Sequence, residues 1–404
     1  MIHYYKFKNF YSFANATEVS FILPKAAPEN HLSFSAGNGT TRLSKIITAF
    51  GANGSGKTNL LRPLAFLSWF ASQSFLSLQP EQNIPLLSHF AFSQNPAEFE
   101  VEFELNGKFY KYELKTTFIT VLYEALSCKD GGKYSKYGYV FKRQLVQDKY
   151  EIKQKDFDFD PKEAEKVRKN ASLISTAAQY NTKLALELKD YLDKCYSNIG
   201  VYGRLFSNVA HYLVTAELYE KDQKIKDKML KLIKKIDLGL IDIEIEEQVT
   251  SIQTTDGQLQ NQKRFIPYGI HESHGKRHRL HFAFESNGTQ TAFSMLYYLL
   301  SVLENGSVAV IDELEQDFHP HLLEYVLNLF INPSSNPHNA QIIFTSHSPM
   351  IMNLLNKSNI MLIEKDEDCQ SHAWKLDDIS GVRNDDNWYA KYYAGAYGAV
   401  PNLE

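Results

Sequence analysis

The octapeptide GANGSGKT occupies Gly51–Thr58 and directly follows the apolar run Ile46–Phe50. Its glycines allow the backbone to curl so that successive N–H groups point toward a phosphate. In this pattern Lys57 reaches the β- and γ-phosphate oxygens and Thr58 holds Mg²⁺. An apolar helical pattern follows, formed by Leu60, Leu61, Leu64 and Leu67. The order of strand, loop and helix predicts a phosphate-binding loop for ATP or GTP. Its predicted nucleotide-binding residues are Gly51, Ala52, Asn53, Gly54, Ser55, Gly56, Lys57, Thr58 and Asn59.

Composition limits the class of protein. A chain of 404 residues exceeds the size at which one core stops growing, so two lobes or a domain with a large insertion are expected. The net charge of −4 gives no global attraction to nucleic acid. The three cysteines lack a paired metal spacing, which favours a reducing, cytoplasmic compartment. Neither a signal peptide nor a membrane span is predicted, so no membrane partner is expected.

Two antiparallel hairpins are predicted in the first third of the chain. Alternation in Lys6–Phe10 and Val19–Leu23 indicates the first. The second consists of Phe99–Leu105 and Phe109–Leu114, joined by the turn pair Asn106-Gly107.

The pattern then changes to helical periods, rich in Lys, Glu, Leu and Ala, over Pro161–Ile236. Strand character returns at Ile241–Ile245 and at His278–Phe284, ahead of a helix predicted over Thr289–Leu303. We therefore expect a helical insertion between two halves of an α/β domain.

A second apolar strand, Ser307–Ile311, ends in the carboxylates Asp312 and Glu313. This is the arrangement of a Walker B element, in which Asp312 holds Mg²⁺ through its water shell and Glu313 accepts a proton from the attacking water. Acidic pairs after apolar strands are common, so the phosphate loop is what gives this pair its meaning. A third apolar strand, Gln341–Thr345, leads to His347. An imidazole there would hydrogen-bond the γ-phosphate or its water, and the alternative is a turn histidine without a role.

The segment Glu285–Thr289 lies just before the predicted helix. Ser286, Asn287 and Gly288 at a helix N-terminus offer hydroxyl and backbone donors to an anion. If that anion were a phosphate bound by the same chain, the segment would have to fold back to Lys57.

The order of phosphate loop, Ser-Asn-Gly-Thr, Asp-Glu and Ser-His resembles the ABC-type ATPase heads of RecF, SMC and OLD proteins. The chain is most similar to the stand-alone AAA-family ATPases that include RloA-like proteins and the ATPase of the PARIS phage-defence system. Asp312–Pro320 is similar to that group's Asp-Glu-x-Glu-x-x-Leu-His-Pro, and Tyr392–Pro401 to its closing Gly-Arg-Tyr-Gly-Ala-(Ile/Val)-Pro. The resemblance covers nearly the whole chain.

The resemblance implies an α/β fold: an ABC-type P-loop ATPase head with an antiparallel β-subdomain and a helical insertion. The implied domains are residues 1–130 for the first half of the head, 131–240 for the insertion and 241–404 for the second half. In such heads the signature segment caps the nucleotide of a second subunit. A homodimer, or a higher even oligomer, would then enclose two ATP·Mg²⁺.

The same resemblance assigns roles within each composite site. Lys57, Glu313 and His347 are the implied catalytic residues, and Thr58 and Asp312 the Mg²⁺ ligands. Gln94 is the candidate for the Q-loop glutamine that also approaches the metal. Ser286, Asn287 and Gly288 would come from the second subunit.

Three departures from the family pattern stand out. Ser-Asn-Gly-Thr replaces the Ser-Gly-Gly-Gln of ABC transporters, His319 stands where their D-loop has aspartate, and Ala396 stands where the closing motif has arginine. Because the sequence continues only a short way beyond His347, no TOPRIM nuclease of the OLD type is expected in it. A nuclease, if there is one, is expected to be another polypeptide.

The resemblance leaves three functions open. The first is an antiphage defence ATPase that senses infection and controls a separate effector, such as a nuclease or TOPRIM-type toxin. The second is a RecF- or SMC-like DNA-repair ATPase that binds DNA directly. The third, the energising subunit of a membrane transporter, is disfavoured by the signature and by the lack of a convincing Q-loop.

Several charged stretches have two interpretations. Lys221–Lys235 is either a DNA- or partner-facing helix or, as we favour, the solvated face of a surface helix. His271–His281 is either a phosphate-contacting strip or, preferably, a surface hairpin leading to the signature. His319 and His321 flank Pro320, where a metal site competes with a packed helix start. The sequence gives no role to three further cations, Lys142, Arg143 and Arg204.

Overall fold

The computed structural model describes residues 1–132, 135–200, 203–205, 209–235, 239–253, 259–315 and 320–401. Within these ranges the strands are β1 (Ile2–Lys8), β2 (Thr17–Ser20), β3 (Ser33–Ser35), β4 (Arg42–Ser44), β5 (Ile46–Gly51), β6 (Ala97–Leu105), β7 (Lys108–Thr116), β8 (Val121–Asp130), β9 (Gly138–Val146), β10 (Lys149–Gln154), β11 (Tyr196–Ser197), β12 (Ile199–Gly200), β13 (Gly203–Arg204), β14 (Asp242–Gln253), β15 (Leu259–Ser273), β16 (Lys276–His281), β17 (Val308–Ile311), β18 (Gln341–Thr345), β19 (Ile360–Lys365) and β20 (Ser371–Lys375). The helices are α1 (Lys57–Ser77), α2 (Pro161–Glu165), α3 (Leu173–Gln179), α4 (Lys183–Asp193), α5 (Val209–Lys221), α6 (Gln223–Ile233), α7 (Asn287–Asn305), α8 (Pro320–Ile331) and α9 (Trp388–Tyr393).

One sheet carries the predicted site. Its strand order in the described part of the chain is β11-β17-β18-β5-β19-β20, and all neighbours are parallel except β19 and β20. The carboxyl ends of β5, β17 and β18 therefore lie at the same edge. Open α/β sheets bind their ligands at this edge.

Side-chain alternation on these strands divides the core. On β17, Val308 and Val310 face one cluster, while Ala309 and Ile311 face the other. The first cluster packs against α1 and the antiparallel sheet, and the second against α7, α8 and the C-terminal segment. Both faces of a parallel sheet need such cover, which explains the nearly continuous apolar runs of its strands.

A second sheet is antiparallel, with the order β10-β9-β8-β7-β6-β1-β2 over the described residues. Both predicted hairpins are confirmed, since β1 pairs with β2 and β6 pairs with β7. The β6–β7 turn consists of Asn106 (φ 51°) and Gly107 (φ 75°), the left-handed pair that a two-residue hairpin needs. The predicted fold class, α/β with an antiparallel subsheet, is confirmed.

Residues 131–240 are more varied than a purely helical segment. The range contains β9 and β10 of the antiparallel sheet, helices α2–α6, and the short strands β11–β13. The helical prediction from Pro161 missed β11–β13, because strands of two residues show no periodicity. The proposed domain boundaries remain predictions.

Two other expectations concern the region around the signature. The predicted strand His278–Phe284 extends too far, because β16 ends at His281 and Phe282–Phe284 forms a 3₁₀ turn capped by the His281 ring. β15 and β16 form the expected hairpin.

Among the described residues, no helix is both long and apolar enough to cross a membrane.

Candidate nucleotide-binding site

The predicted phosphate loop spans the turn from β5 to α1. Gly56 has a φ of 110°, and a Cβ there would lie 2.3 Å from the hydroxyl of Ser371. A Cβ on Gly51 would lie 2.3 Å from the carbonyl oxygen of Ile363. Both positions therefore require glycine. Helix α1 begins at the next residue, Lys57, so its first backbone N–H groups are available to an anion at the loop.

The Lys57 side chain folds over this loop. Its ammonium donates hydrogen bonds to the carbonyls of Gly51 at 2.9 Å and Ala52 at 3.0 Å. Burial lowers the pKa of Lys57, and the nearby carboxylates of Asp312 and Glu313 partly oppose that effect. A bound phosphate would favour the charged amine further.

The Asp312 carboxylate accepts hydrogen bonds from two hydroxyls, one on α1 and one on β18. Its Oδ2 accepts a hydrogen bond from Thr58 at 2.8 Å, and its Oδ1 accepts one from Thr345 at 2.7 Å. The residue is 3% exposed. The end of β17, the end of β18 and the start of α1 are thus joined at a single carboxylate.

Glu313 follows Asp312 and has a φ of 52°, an uncommon conformation for a residue with a side chain. Its backbone N–H donates to the Thr345 hydroxyl at 2.7 Å. One carboxylate oxygen, Oε1, lies 3.5 Å from Nε2 of His347. The backbone N–H of His347 in turn donates to the Glu315 carboxylate. The predicted base and the predicted histidine are therefore neighbours.

These groups surround one cavity of about 560 Å³. The residues that line it are Asn53, Gly54, Gly56, Lys57, Thr58, Asn59, Arg62, Gly203, Asp312, Glu313, His347 and Lys365. Eight of the predicted loop and Walker B residues, together with His347, thus converge on one space. The loop residues Gly51, Ala52 and Ser55 are not among the described residues that line it.

The predicted signature residues lie elsewhere on the same chain. Ser286 is the N-cap of α7, and its hydroxyl accepts a hydrogen bond from the Thr289 backbone at 3.2 Å. Ser286 and Asn287 are exposed, and Gly288 is partly so. Among the described residues, the lining of the cavity includes no part of this segment. The arrangement does not support the alternative in which the segment binds its own chain's phosphate.

Gln94 occupies an exposed turn before β6, and it is not among the described residues that line the cavity. His319 and the side chain of His321 lie outside the described part of the chain. Within the described residues, no cluster of three or more His, Cys, Asp or Glu side chains is suited to a metal ion.

Sequence reasoning missed five residues at the site. Three are cations: Arg62, Arg204 and Lys365. The others are Gly203, which precedes Arg204, and the buried amide Asn198. Arg62 lies five residues after Lys57, about one and a half turns along α1. This helical spacing could have predicted that Arg62 lies near the phosphate loop. The others come from segments distant in sequence, and no local pattern marks them.

Residues 50–353 match a family model described as "AAA domain, putative AbiEii toxin, Type IV TA system". The chain belongs to this AAA family. The matched span begins within β5 and ends beyond His347, so it contains every residue that lines the cavity except Lys365. No curated protein sequence matches the chain.

Two solved structures are similar to the AAA-family chain over most of its length. The SMC head domain from Thermotoga maritima has 14% sequence identity and a TM-score of 0.39, with 93% of this chain and 98% of that chain covered. An Smc head domain with a coiled coil and joint, derived from Pyrococcus yayanosii, has 10% identity and a TM-score of 0.42, with 93% and 96% covered.

Proposed function

We propose that the protein is a Mg²⁺-dependent ATPase. The observation that carries this proposal is the convergence of the phosphate loop, the Asp312–Glu313 pair and His347 on one cavity. In this function the loop N–H groups and Lys57 bind the phosphates, and their fixed positive charge neutralises the charge that develops during phosphoryl transfer.

The oxygen atoms of Thr58 and Asp312 are suitable ligands for a magnesium ion. The Thr58 hydroxyl and the Asp312 carboxylate lie within hydrogen-bond distance of each other, so both oxygens face the same point. Mg²⁺ prefers one or two such protein oxygens together with phosphate and water. When bound, the ion would neutralise charge that develops during phosphoryl transfer.

Glu313 is proposed as the residue that orients and deprotonates the attacking water, with His347 beside it. The carboxylate follows closely after the buried β17 strand and lines the cavity. His347 is placed to hydrogen-bond the γ-phosphate or that water.

The signature residues are proposed to act across a subunit interface. Ser286, Asn287 and Gly288 begin α7, away from their own chain's cavity, and their N–H groups and hydroxyl can bind an anion. A homodimer with two ATP·Mg²⁺ between its subunits, or a higher even oligomer, would complete each site in this way.

In the cell we propose a role in antiphage defence, as an ATP-dependent sensor or scaffold that controls a separate effector such as a nuclease. The sequence resemblance to RloA-like and PARIS-type ATPases supports it, as does a family description that names a toxin and a type IV TA system. The DNA-repair alternative has less support, because the lysine-rich segment is largely neutralised. Five of its seven lysines form ion pairs with acids: Lys221, Lys224, Lys226, Lys228 and Lys234.

The biochemical test is ATP binding and hydrolysis by the purified chain. Lys57→Ala should lose nucleotide binding, whereas Lys166→Ala, at the exposed lysine that follows α2, should not. Glu313→Gln should still bind ATP, accumulate as a closed oligomer, and turn over at least about a hundredfold more slowly. Turnover by Glu313→Gln at the wild-type rate would show that the base is assigned wrongly.

The cellular test is affinity purification of Glu313→Gln from its host with ATP present, followed by identification of co-eluting protein and nucleic acid. A stoichiometric protein partner that is lost in Lys57→Ala is the expected result. Recovery of DNA alone would favour the repair function instead.

A further inference from the structure

The paired short strands β12 and β13 bring a cation, Arg204, to the carboxylate of Glu313, the proposed base. Gly203 lines the nucleotide cavity, and the next residue, Arg204, places Nη1 3.7 Å from Oε2 of Glu313. The Arg204 side chain is 13% exposed, and that of Glu313 is 31% exposed. The pair is thus only partly accessible to solvent, and its electrostatic attraction is less screened than that of a surface salt bridge.

The segment that carries the hairpin is attached directly to the Walker B strand. β11 pairs in parallel with β17. Next to it, the Asn198 side chain accepts a hydrogen bond from the Asp312 N–H at 2.7 Å and donates one to the Asp312 carbonyl at 3.0 Å. The side-chain amide of Asn198 therefore makes the two backbone hydrogen bonds with Asp312 that a neighbouring strand would otherwise make. The position of Arg204 relative to Glu313 is fixed by this attachment.

Arg204 and His347 contact opposite oxygens of the same carboxylate. Oε2 faces the guanidinium, and Oε1 faces the imidazole at 3.5 Å. A glutamate has three rotatable side-chain bonds, and one at a cavity mouth can otherwise turn toward solvent. Contacts at both oxygens restrict it to the orientation that faces the cavity.

We infer that Arg204 is a positioning residue for ATP hydrolysis, acting through Glu313. It holds the carboxylate in the orientation from which it accepts the proton of the attacking water, so catalysis depends on the paired strands β12 and β13. This inference rests on the proposed ATPase function. The purely structural alternative is that Arg204 only ties the hairpin to the sheet.

The test compares Arg204→Met and Arg204→Lys with the wild type in kcat, KM, affinity for a non-hydrolysable ATP analogue, and thermal unfolding. Misplacement of a catalytic group by a fraction of an ångström lowers turnover without removing binding. Arg204→Met should lower kcat about tenfold while KM and analogue affinity stay within about twofold. Arg204→Lys should restore at least about a third of the rate, since it keeps the charge. Arg279→Met, at an exposed ion pair with Glu246, is the matched control and should behave like the wild type.

A double-variant cycle distinguishes action through Glu313 from direct contact with phosphate. In the Glu313→Gln background, Arg204→Met should cause no further loss of the residual rate. An equal loss in both backgrounds, or weaker analogue binding in parallel with kcat, would overturn the inference in favour of a phosphate contact. A kcat within about twofold of the wild type would overturn it in favour of the structural alternative. Failure of the wild type itself to hydrolyse ATP would instead refute the proposed function, and the inference with it.

Discussion

Two arginine–glutamate pairs in this molecule have similar geometry and contrasting surroundings. Arg143 and Glu124 lie 3.4 Å apart within the antiparallel part of the molecule, and both side chains are 0% exposed. Arg204 and Glu313 lie 3.7 Å apart at the mouth of the nucleotide cavity and are partly exposed. The chemistry of the two pairs is the same, so their surroundings must account for any difference in what they do.

The buried pair is surrounded by hydrogen-bond partners. Arg143 donates to three backbone carbonyls, those of Val167, Arg168 and Ala171. Glu124 accepts hydrogen bonds from the hydroxyls of Tyr112 and Ser172 and from the Leu173 N–H. These contacts tie β8 and β9 to the start of α3. The Glu313 carboxylate, by contrast, is next to a cavity where a substrate can enter. The buried pair therefore organises the fold, whereas the pair at the cavity edge is the one proposed to act in catalysis.

The largest expected effect is on the buried pair. Arg143→Met removes one partner, leaves the Glu124 charge uncompensated and removes the donors to three carbonyls. Breaking such a pair costs about 3–5 kcal/mol in the free energy of unfolding. Arg204→Met should cost less, because the Glu313 carboxylate that it leaves unpaired is partly exposed and can be solvated. Urea unfolding of both variants measures the difference, and equal losses would remove the distinction between the pairs.

Next in size is the Asn198 attachment, where stability and catalysis should change together. Asn198→Ala leaves the buried N–H and carbonyl of Asp312 without their partner, which costs about 2 kcal/mol. Turnover should also fall, because both Asp312 and Arg204 lose their support. Asn336→Ala is the matched control: it is a buried amide that bonds the Phe330 and Ala340 backbone far from the cavity.

Urea unfolding and steady-state ATPase rates at saturating ATP separate the two asparagines. We expect similar losses of stability, but a loss of kcat per folded molecule only in Asn198→Ala. If Asn336→Ala lowers kcat equally, the effect reports general destabilisation and the attachment has no special role.

Contiguous motifs could be predicted from the sequence, whereas contacts between distant segments could not. The phosphate loop, the Asn106-Gly107 hairpin and the Walker B carboxylates are contiguous, and each has a local physical requirement that restricts residue type. Asn198 and Arg204 act on Asp312 and Glu313 from more than a hundred residues away, through strands of two residues each. No periodicity reveals such strands, and a single arginine between uninformative neighbours carries no signal. Long-range pairing therefore decided the part of the site that local patterns could not predict.

A third prediction applies the comparison to the start of α7. Ser286 caps this helix, so Ser286→Ala should cost about 1 kcal/mol in the free energy of unfolding. Ser286→Asp keeps a capping oxygen and should retain stability, yet its negative charge would repel a phosphate bound by a second subunit. Urea unfolding and light scattering with ATP in the Glu313→Gln background test both effects. An ATP-dependent dimer that persists in Ser286→Asp would contradict the proposed role of the segment across the interface.

The smallest effect is expected at an exposed pair, which extends the comparison to the surface. Glu304 at the end of α7 receives hydrogen bonds from Lys224 and Lys228 of α6, and these lower the pKa of its carboxyl to about 2. Because the folded pKa lies below the unfolded value of 4.5, the contribution to stability is fully present above pH 4.5 and is lost as the pH falls toward 2. The lysines are largely exposed, so solvent screening limits it to about 0.5–1 kcal/mol. Glu304→Gln should therefore be less stable than the wild type at pH 7 by that amount, and the difference should shrink at pH 3.5 and in 1 M salt, where the Debye length is about 3 Å. A difference unchanged by pH and salt would mean that packing of Glu304, rather than its charge, joins the two helices.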